Sequence, residues 1–453
     1  MNAGGEQATL LRLLADDTLL VFLSDCHIGG DEGRDIFESP DDLAALFREL
    51  GDHPGPVELV LAGDFFDCLR IGSVATGENR VSQTLARPEY ADLFATLRAL
   101  AAGPDRKVIY MPGNHDAEVC WNVDIRGALE GGGLVHGFAL SYAAAFQSDP
   151  AKLIYCEHGN EFDPANLKRD YDDPYDTPLG DHIVTDIIPR LPRGWAGSAL
   201  QLHEIDHVFP LDTLPQWVAG RLFYALVTEA VRWLFAPLLV AYVAFELIAY
   251  ATGLGHREIN TLFFEIAYEV GFLLLAFGVF FFVAWKVANR AIRSAPPRPV
   301  ERDAIRARLK RGEAPPLAGP LPADIAVFVS GHTHAPALSQ FEASNGAPGL
   351  IVNSGCWLRQ LQSLPTHLRA PQVFINRFVQ THVRILRRDG ALTVELWGHP
   401  RPSPQSLRVV ERLAVTRRLP PEPLDLRPRV MANAVLPPKR PPENRNPPPA
   451  AID

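Results

Sequence analysis

Five short clusters of metal-binding side chains recur along this sequence, and each follows a run of aliphatic residues. Asp25-Cys26-His27 sets a carboxylate and an imidazole two residues apart. In extended chain both point the same way and can reach one metal ion. Gly63-Asp64-Phe65-Phe66-Asp67 puts a carboxylate after a tight turn, where its two oxygens can bridge two cations. Gly113-Asn114-His115-Asp116 offers an amide oxygen, an imidazole and a carboxylate that can orient that imidazole. Glu157-His158-Gly159 adds another imidazole, and Gly331-His332-Thr333-His334 repeats the two-apart spacing. A single catalytic zinc needs only three protein ligands. The candidates Asp25, His27, Asp64, Asn114, His158, His332 and His334, of mixed nitrogen and oxygen type, indicate two divalent ions sharing a bridge. Such donors suit manganese first, with iron, zinc or magnesium as alternatives.

The elements that must position these groups are legible around them. Leu19–Leu23, Val57–Ala62, Val108–Met111, Leu153–Cys156 and Ile325–Val329 are short aliphatic runs that stop abruptly at the polar clusters. Their length and content predict buried strands. Helical patterns at Asp41–Leu50 and Pro88–Ala102 lie between the early ones, so the fold class is α/β. Ligands in such folds bind beyond the carboxyl ends of strands, where the clusters fall. Arg388-Asp389-Gly390 between alternating runs predicts a hairpin.

At 453 residues and 47% hydrophobic content the chain can bury a large core. Its net charge of −10 disfavours a nucleic-acid partner. The five cysteines, Cys26, Cys68, Cys120, Cys156 and Cys356, fit neither a disulfide framework nor a zinc site, and are expected to be buried thiols in a reducing compartment. No basic-then-apolar leader opens the sequence, and Thr18–Ser24 reads as a strand. His203-Glu204-Ile205-Asp206-His207 matches a zinc-protease pattern, but the charge at Asp206 and the lack of a third ligand predict a solvated helix face instead.

Taken together, the five motifs resemble those of the calcineurin-like metallophosphoesterase superfamily, over about residues 18–165 and 320–400. The resemblance implies a four-layer α/β/β/α sandwich. It implies that Asp25, His27 and His334 bind one metal, that Asn114, His158 and His332 bind the other, and that Asp64 bridges them. His115 would protonate the leaving oxygen, Asp116 would orient His115, and Asp67 would stand behind the ligands. The Val352-Asn353-Ser354-Gly355 turn matches the usual continuation of the family.

Two apolar runs, Trp233–Tyr250 and Val270–Trp285, interrupt the pattern between the fourth and fifth motifs. The second, with its edges, reaches the roughly 20 residues that span a bilayer. Nine Lys/Arg against two Asp/Glu between Lys286 and Arg311 predict a hydrophobic helical transmembrane hairpin with both ends cytoplasmic. The motifs flank the insertion, so it must cross an even number of times. Its place resembles the lid of UDP-2,3-diacylglucosamine hydrolases, although those enzymes tend to carry Arg where this chain has His115. Glu161-Phe162-Asp163-Pro164-Ala165-Asn166 is a substrate loop or a plain turn.

The expected organisation is a core over 1–165 and 320–400, an insertion over 166–319 with its hairpin at about 222–290, and a tail over 401–453. That tail has 13 prolines and is expected to be disordered. The expected function is two-metal hydrolysis of a phosphoester or pyrophosphate bond in a lipid or lipid-linked nucleotide at the cell (inner) membrane, with the catalytic domain cytoplasmic and membrane lipids as partners. A membrane-anchored phosphatase of soluble substrates and a catalytically silent scaffold stay open as alternatives.

Overall fold

The computed structural model describes residues 9–72, 74, 78–191, 201–210, 213–253, 259–292, 301–367 and 370–437. The first strands are β1 (Thr9–Leu14), β2 (Leu19–Leu23), β3 (Val57–Ala62), β4 (Arg106–Met111), β5 (Ser141–Phe146), β6 (Asp149–Cys156) and the short β7 (Val208–Phe209). After the insertion come β8 (Ile325–Ser330), β9 (Ala337–Glu342), β10 (Pro348–Asn353), β11 (Trp357–Leu364), β12 (Val373–Arg388), β13 (Ala391–Gly398) and β14 (Arg429–Leu436). The longer helices are α1 (Pro40–Gly51), α2 (Ala91–Ala101), α3 (Leu214–Ala230), α4 (Ala236–Thr252), α5 (Ile259–Ile292) and α6 (Glu301–Lys310).

The strands form two sheets, ordered β1-β5-β6-β8-β10-β9 and β14-β13-β12-β2-β3-β4. β2, β3 and β4 run parallel, as do β6, β8 and β10. All five residues of β2 and all six of β3 are buried, because both faces of their sheet are covered. Leu20, Phe22, Val60 and Ile109 meet Ala144, Ile154, Val327 and Val352 of the opposite sheet. The alternate residues Leu19, Val21, Leu59 and Val108 instead pack on Leu43, Phe47, Phe94 and Leu97 of α1 and α2. On the far side Ile305 and Leu309 of α6 cover Tyr155, Phe328 and Ile351. The result is helix, sheet, sheet, helix, a mixed α/β architecture with two sheets.

Register aligns the strand ends. Leu23 pairs Leu61, and Ala62 pairs Met111, so the segments after β2, β3 and β4 leave side by side. In the other sheet Cys156 pairs Val329 and Ser330 pairs Asn353, which aligns the ends of β6, β8 and β10. At the β12–β13 hairpin, Asp389 and Gly390 both take positive φ, 51° and 78°, the conformation a two-residue turn between twisted strands demands.

Three expectations change. The tail is not featureless after Arg401: β14 pairs antiparallel with β13 from Leu392 to Gly398. Proline content averaged over the tail hides the proline-free run Arg429–Leu436, whose Ala432, Ala434 and Leu436 join the inter-sheet core. Residues 438–453 lie outside the described residues. The His203–His207 segment is a 3₁₀ turn rather than a solvated helix face; Glu204 and His207 are buried, and His207 Nδ1 donates to the carbonyl of Arg359. Finally, the stretch expected to begin the hairpin, at about residue 222, packs against the core. Trp217 and Tyr224 of α3 are buried against the core, and Arg221 bridges Glu204 and Glu411 at 3.1 and 3.3 Å. All five cysteines are buried free thiols, as expected.

Leu436 is 5% exposed at the end of the added strand. Leu436→Ala should therefore lower unfolding free energy by about 2–3 kcal/mol. Removal of residues 401–453 should destabilise further by uncovering the edge of β13. Chemical denaturation monitored by circular dichroism checks both.

Candidate metal centre

The five motif loops converge where the carboxyl ends of both sheets meet. Their backbone is bent sharply to do so: Asp25, His27, Asp64, His332 and His334 all adopt left-handed conformations, with φ between 51° and 60°. Each non-glycine residue held there costs on the order of 1–3 kcal/mol and persists only where surrounding structure imposes it. The imposing structure is a set of cross-ties. Asp25 N–H donates to Gly63 O at 3.0 Å, His27 N–H to Asp64 O at 2.9 Å, and Gly331 N–H to His158 O at 2.8 Å. Gly113 and Gly331 leave room for carboxylates, since a Cβ on either would overlap Asp64 or Asp25.

The side chains sit within ligand reach of one another. Asp25, His27 and His334 form one group whose donor atoms lie within 4.8 Å; Asp64, His158 and His332 form a second. His27 Nε2 stands 3.1 Å from His334 Nε2, 4.0 Å from Asp25 Oδ1 and 3.7 Å from Asp64 Oδ2. His158 Nδ1 donates to Ala62 O at 2.9 Å, which turns its Nε2 toward Asp64 Oδ2 at 3.1 Å. That approach lacks hydrogen-bond alignment, and Nε2 is otherwise unpartnered. Asn114 Oδ1 is buried with no partner at all.

These donors fit two divalent cations. A buried amide oxygen without a donor is costly in a bare protein and is satisfied by a cation. Two carboxylates, one amide and five imidazoles, counting His115, match the mixed donor preference of borderline metals. The Asp64 carboxyl is held well below the usual range: burial opposes ionisation, but the imidazoles of His158, His115 and His27 outweigh it.

The structure moves one assigned role. Asp116 does not reach the His115 ring. It is buried and accepts from the N–H groups of Gly113 and Phe65 at 2.6 and 2.8 Å and from the Tyr110 hydroxyl at 2.5 Å. It thereby ties the loop after β4 to the loop after β3, and burial with the charge of Asp64 pushes its carboxyl up to about 6. Asp67 is the orienting group. Its two oxygens take His115 Nδ1 at 2.9 Å and His27 Nδ1 at 3.2 Å, while Arg70 braces it at 2.8 Å. Burial lowers the His115 imidazole, but Asp67 and Asp64 outweigh it and raise it to about 9.

Two acidic residues were not singled out from sequence. Asp163 lies 3.3 Å from His332 Nε2; its place in the Glu161–Asn166 extension was the available signal. Glu301, the first residue of α6, is buried beside Gly159, and burial pushes its carboxyl up to about 8. No local motif marks it.

Two cavities open from the cluster. One of about 770 Å³ starts at His332 and His334 and is walled by Phe162, Phe209, Ile305 and Ile351. Phe209 stacks on His334 with ring centroids 6.0 Å apart. The other, about 360 Å³, holds Asn114 and His115 with Arg34, Arg80 and Lys168 on its walls.

Residues 18–211 match the family model for calcineurin-like phosphoesterase. No curated protein matches the chain. The matched segment carries the first four motifs, and β8 brings the two histidines of the fifth to the same cluster. The chain is a metal-dependent phosphoesterase.

Because Asp67 holds an imidazole on each side, Asp67→Asn should weaken metal binding roughly 10–100-fold, the usual effect of losing a partner that orients a ligand. Titration against a chromogenic chelator measures it; unchanged affinity would place the orienting force elsewhere.

Proposed function

We propose that this chain hydrolyses a phosphoester or pyrophosphate bond in a lipid or lipid-linked nucleotide, working on the cytoplasmic face of the membrane. The observation that carries the chemistry is the convergence of seven ligand-type side chains from five loops at the junction of the two sheets. Asp25, His27 and His334 would hold one cation; Asn114, His158 and His332 would hold the other, with Asp64 between them. Bound there, the cations supply charge neutralisation for the phosphoryl oxygens and make a hydrolytic water acidic enough to attack near neutral pH. Manganese is the first candidate, on donor type.

The protein's own residues handle the rest. His115 Nδ1–H donates to Asp67, and with its imidazole raised to about 9 the ring is an imidazolium near neutral pH, so Nε2 also carries a proton and offers it to the leaving oxygen. His115 is partly exposed and opens on the smaller cavity, where Arg34, Arg80 and Lys168 suit a polar or anionic leaving group. Asp116 holds the loop that carries Asn114 and His115 in place. The larger, mainly apolar cavity on the His332 side accommodates the lipid part.

Membrane association is supported by the insertion. Leu214–Thr252 runs 39 residues and contains an 18-residue stretch of mean hydropathy 1.9, long and apolar enough to cross a bilayer. At 1.5 Å per residue it extends ~58 Å, of which its buried base accounts for only the first turns. Leu238, Val240, Phe245 and Ile248 on α4 and Phe272, Leu275 and Phe282 on α5 are exposed. Such a surface is stable in lipid and a liability in water. The basic cluster from Lys286 to Arg311 supports a cytoplasmic position for both ends of the hairpin.

His115→Ala should keep both metals and lose roughly 10²–10⁴-fold in rate, with a smaller loss for nitrophenyl esters, whose leaving group needs no proton. Metal analysis and steady-state kinetics read this directly; a fall in metal content would make His115 a ligand. Replacement of residues 230–290 by a short flexible linker should release the protein from membranes with metal binding intact. If alkaline carbonate already strips the intact protein, the hairpin does not span.

A further inference from the structure

Glu301 is 7% exposed, and neither of its carboxylate oxygens makes a hydrogen bond. The hydroxyls of Ser330 and Thr333 are close enough to favour its ionised form, and burial outweighs them. The carboxylate lines the larger cavity at its metal end: a Cβ on Gly159 would stand 2.7 Å from Glu301 Oε1 and 3.4 Å from His332 Cβ. Of the other charged groups on that wall, Arg302 is exposed, and Asp163, Asp206 and Arg359 have partners. Asp163 accepts from Asn166 and the N–H of Ala165, Asp206 pairs Arg70 at 3.0 Å, and Arg359 pairs Glu38 at 2.8 Å. Burying a carboxyl group whose oxygens make no hydrogen bond is expensive, and that cost is relieved when a donor arrives.

The rest of the cavity wall indicates the donor's place in the ligand. Ile305, one turn beyond Glu301 on α6, also lines the cavity, and Phe162, Leu179, Phe209 and Leu358 continue the apolar wall. The cavity therefore presents a hydrogen-bond acceptor beside the ligand cluster and apolar surface on its other walls.

Building on the phosphoesterase reading of this site, we propose that Glu301 selects the substrate. It accepts a hydrogen bond from a hydroxyl or ammonium group that links the phosphate to the apolar part of the molecule. The substrate class is thus an amphiphile with a donor-bearing group next to its phosphate, and α6, the helix that closes the insertion, supplies the group that reads it.

The test uses the full chain in detergent micelles with manganese and three 4-nitrophenyl phosphodiesters, whose second ester is glyceryl, 2-aminoethyl or propyl. The wild type should favour at least one donor-bearing ester over the propyl ester by roughly tenfold or more in kcat/KM. Glu301→Ala should collapse that ratio toward one while binding two metals per chain. Glu301→Gln, which keeps an acceptor oxygen but no charge, should retain a preference for glyceryl and lose one for aminoethyl, so it separates the two donors. Equal turnover of all three esters by the wild type, or a preference that survives in Glu301→Ala, overturns the role of Glu301 and leaves the phosphoesterase reading standing. Loss of metal in Glu301→Ala makes the residue a ligand and also overturns it. No turnover of any ester by the wild type overturns both.

Discussion

Asp25, Asp64, Asp67 and Asp116 are each at most 1% exposed and belong to three adjacent loops. Carboxylates this close and this dry repel one another, and burial alone would protonate them. The fold counters the repulsion with donors aimed at particular oxygens. His332 N–H donates to Asp25, His115 N–H to Asp64, and Gly113 and Phe65 N–H to Asp116. Imidazoles and Arg70 supply the rest within the protein. Two divalent cations would complete the balance, since the ionised carboxylates then face positive charge rather than one another.

Much of the surrounding architecture follows from bringing those groups together. Backbone donors can point inward only if the chain turns through left-handed conformations at the ligand residues, as it does at Asp25, Asp64 and His332. Neighbouring loops can approach that closely only where a side chain is missing, as at Gly113 and Gly331. The loops start from common points because parallel strands end in register on both sheets. The bent loops are held by rigid strands with both faces covered, so their strain is not relieved by a local shift.

This division explains what the sequence made legible. The ligands are contiguous short motifs at strand ends, and the strands are uninterrupted aliphatic runs, so both register in local pattern. Which carboxylate orients His115 is not local. Asp116 is its neighbour in sequence, but the chain turns after His115 and sends Asp116 beneath the loop after β3. Asp67, on that other loop, comes up under both His115 and His27. Glu301 was invisible for the same reason, because its environment is made by Gly159 and His332 from separate motifs. β14 was masked by prolines on either side of a short alternating strand.

The insertion is more than a tether attached at a distance from the chemistry. It leaves the core after the fourth motif and returns at Glu301, and segments near both its ends wall one cavity. Near its start, β7 pairs with β11, and Phe209 stacks on His334. Trp217, in the base of the long apolar helix, shares a small core with Val208, Leu361 and Phe374. The helix proposed to enter the bilayer therefore rests on the same packed cluster that positions the aromatic wall beside His334. Arg221, bridging Glu204 and Glu411, fixes that base against the catalytic core. Breaking such a buried ion pair on one side leaves an uncompensated charge, so the base resists independent movement.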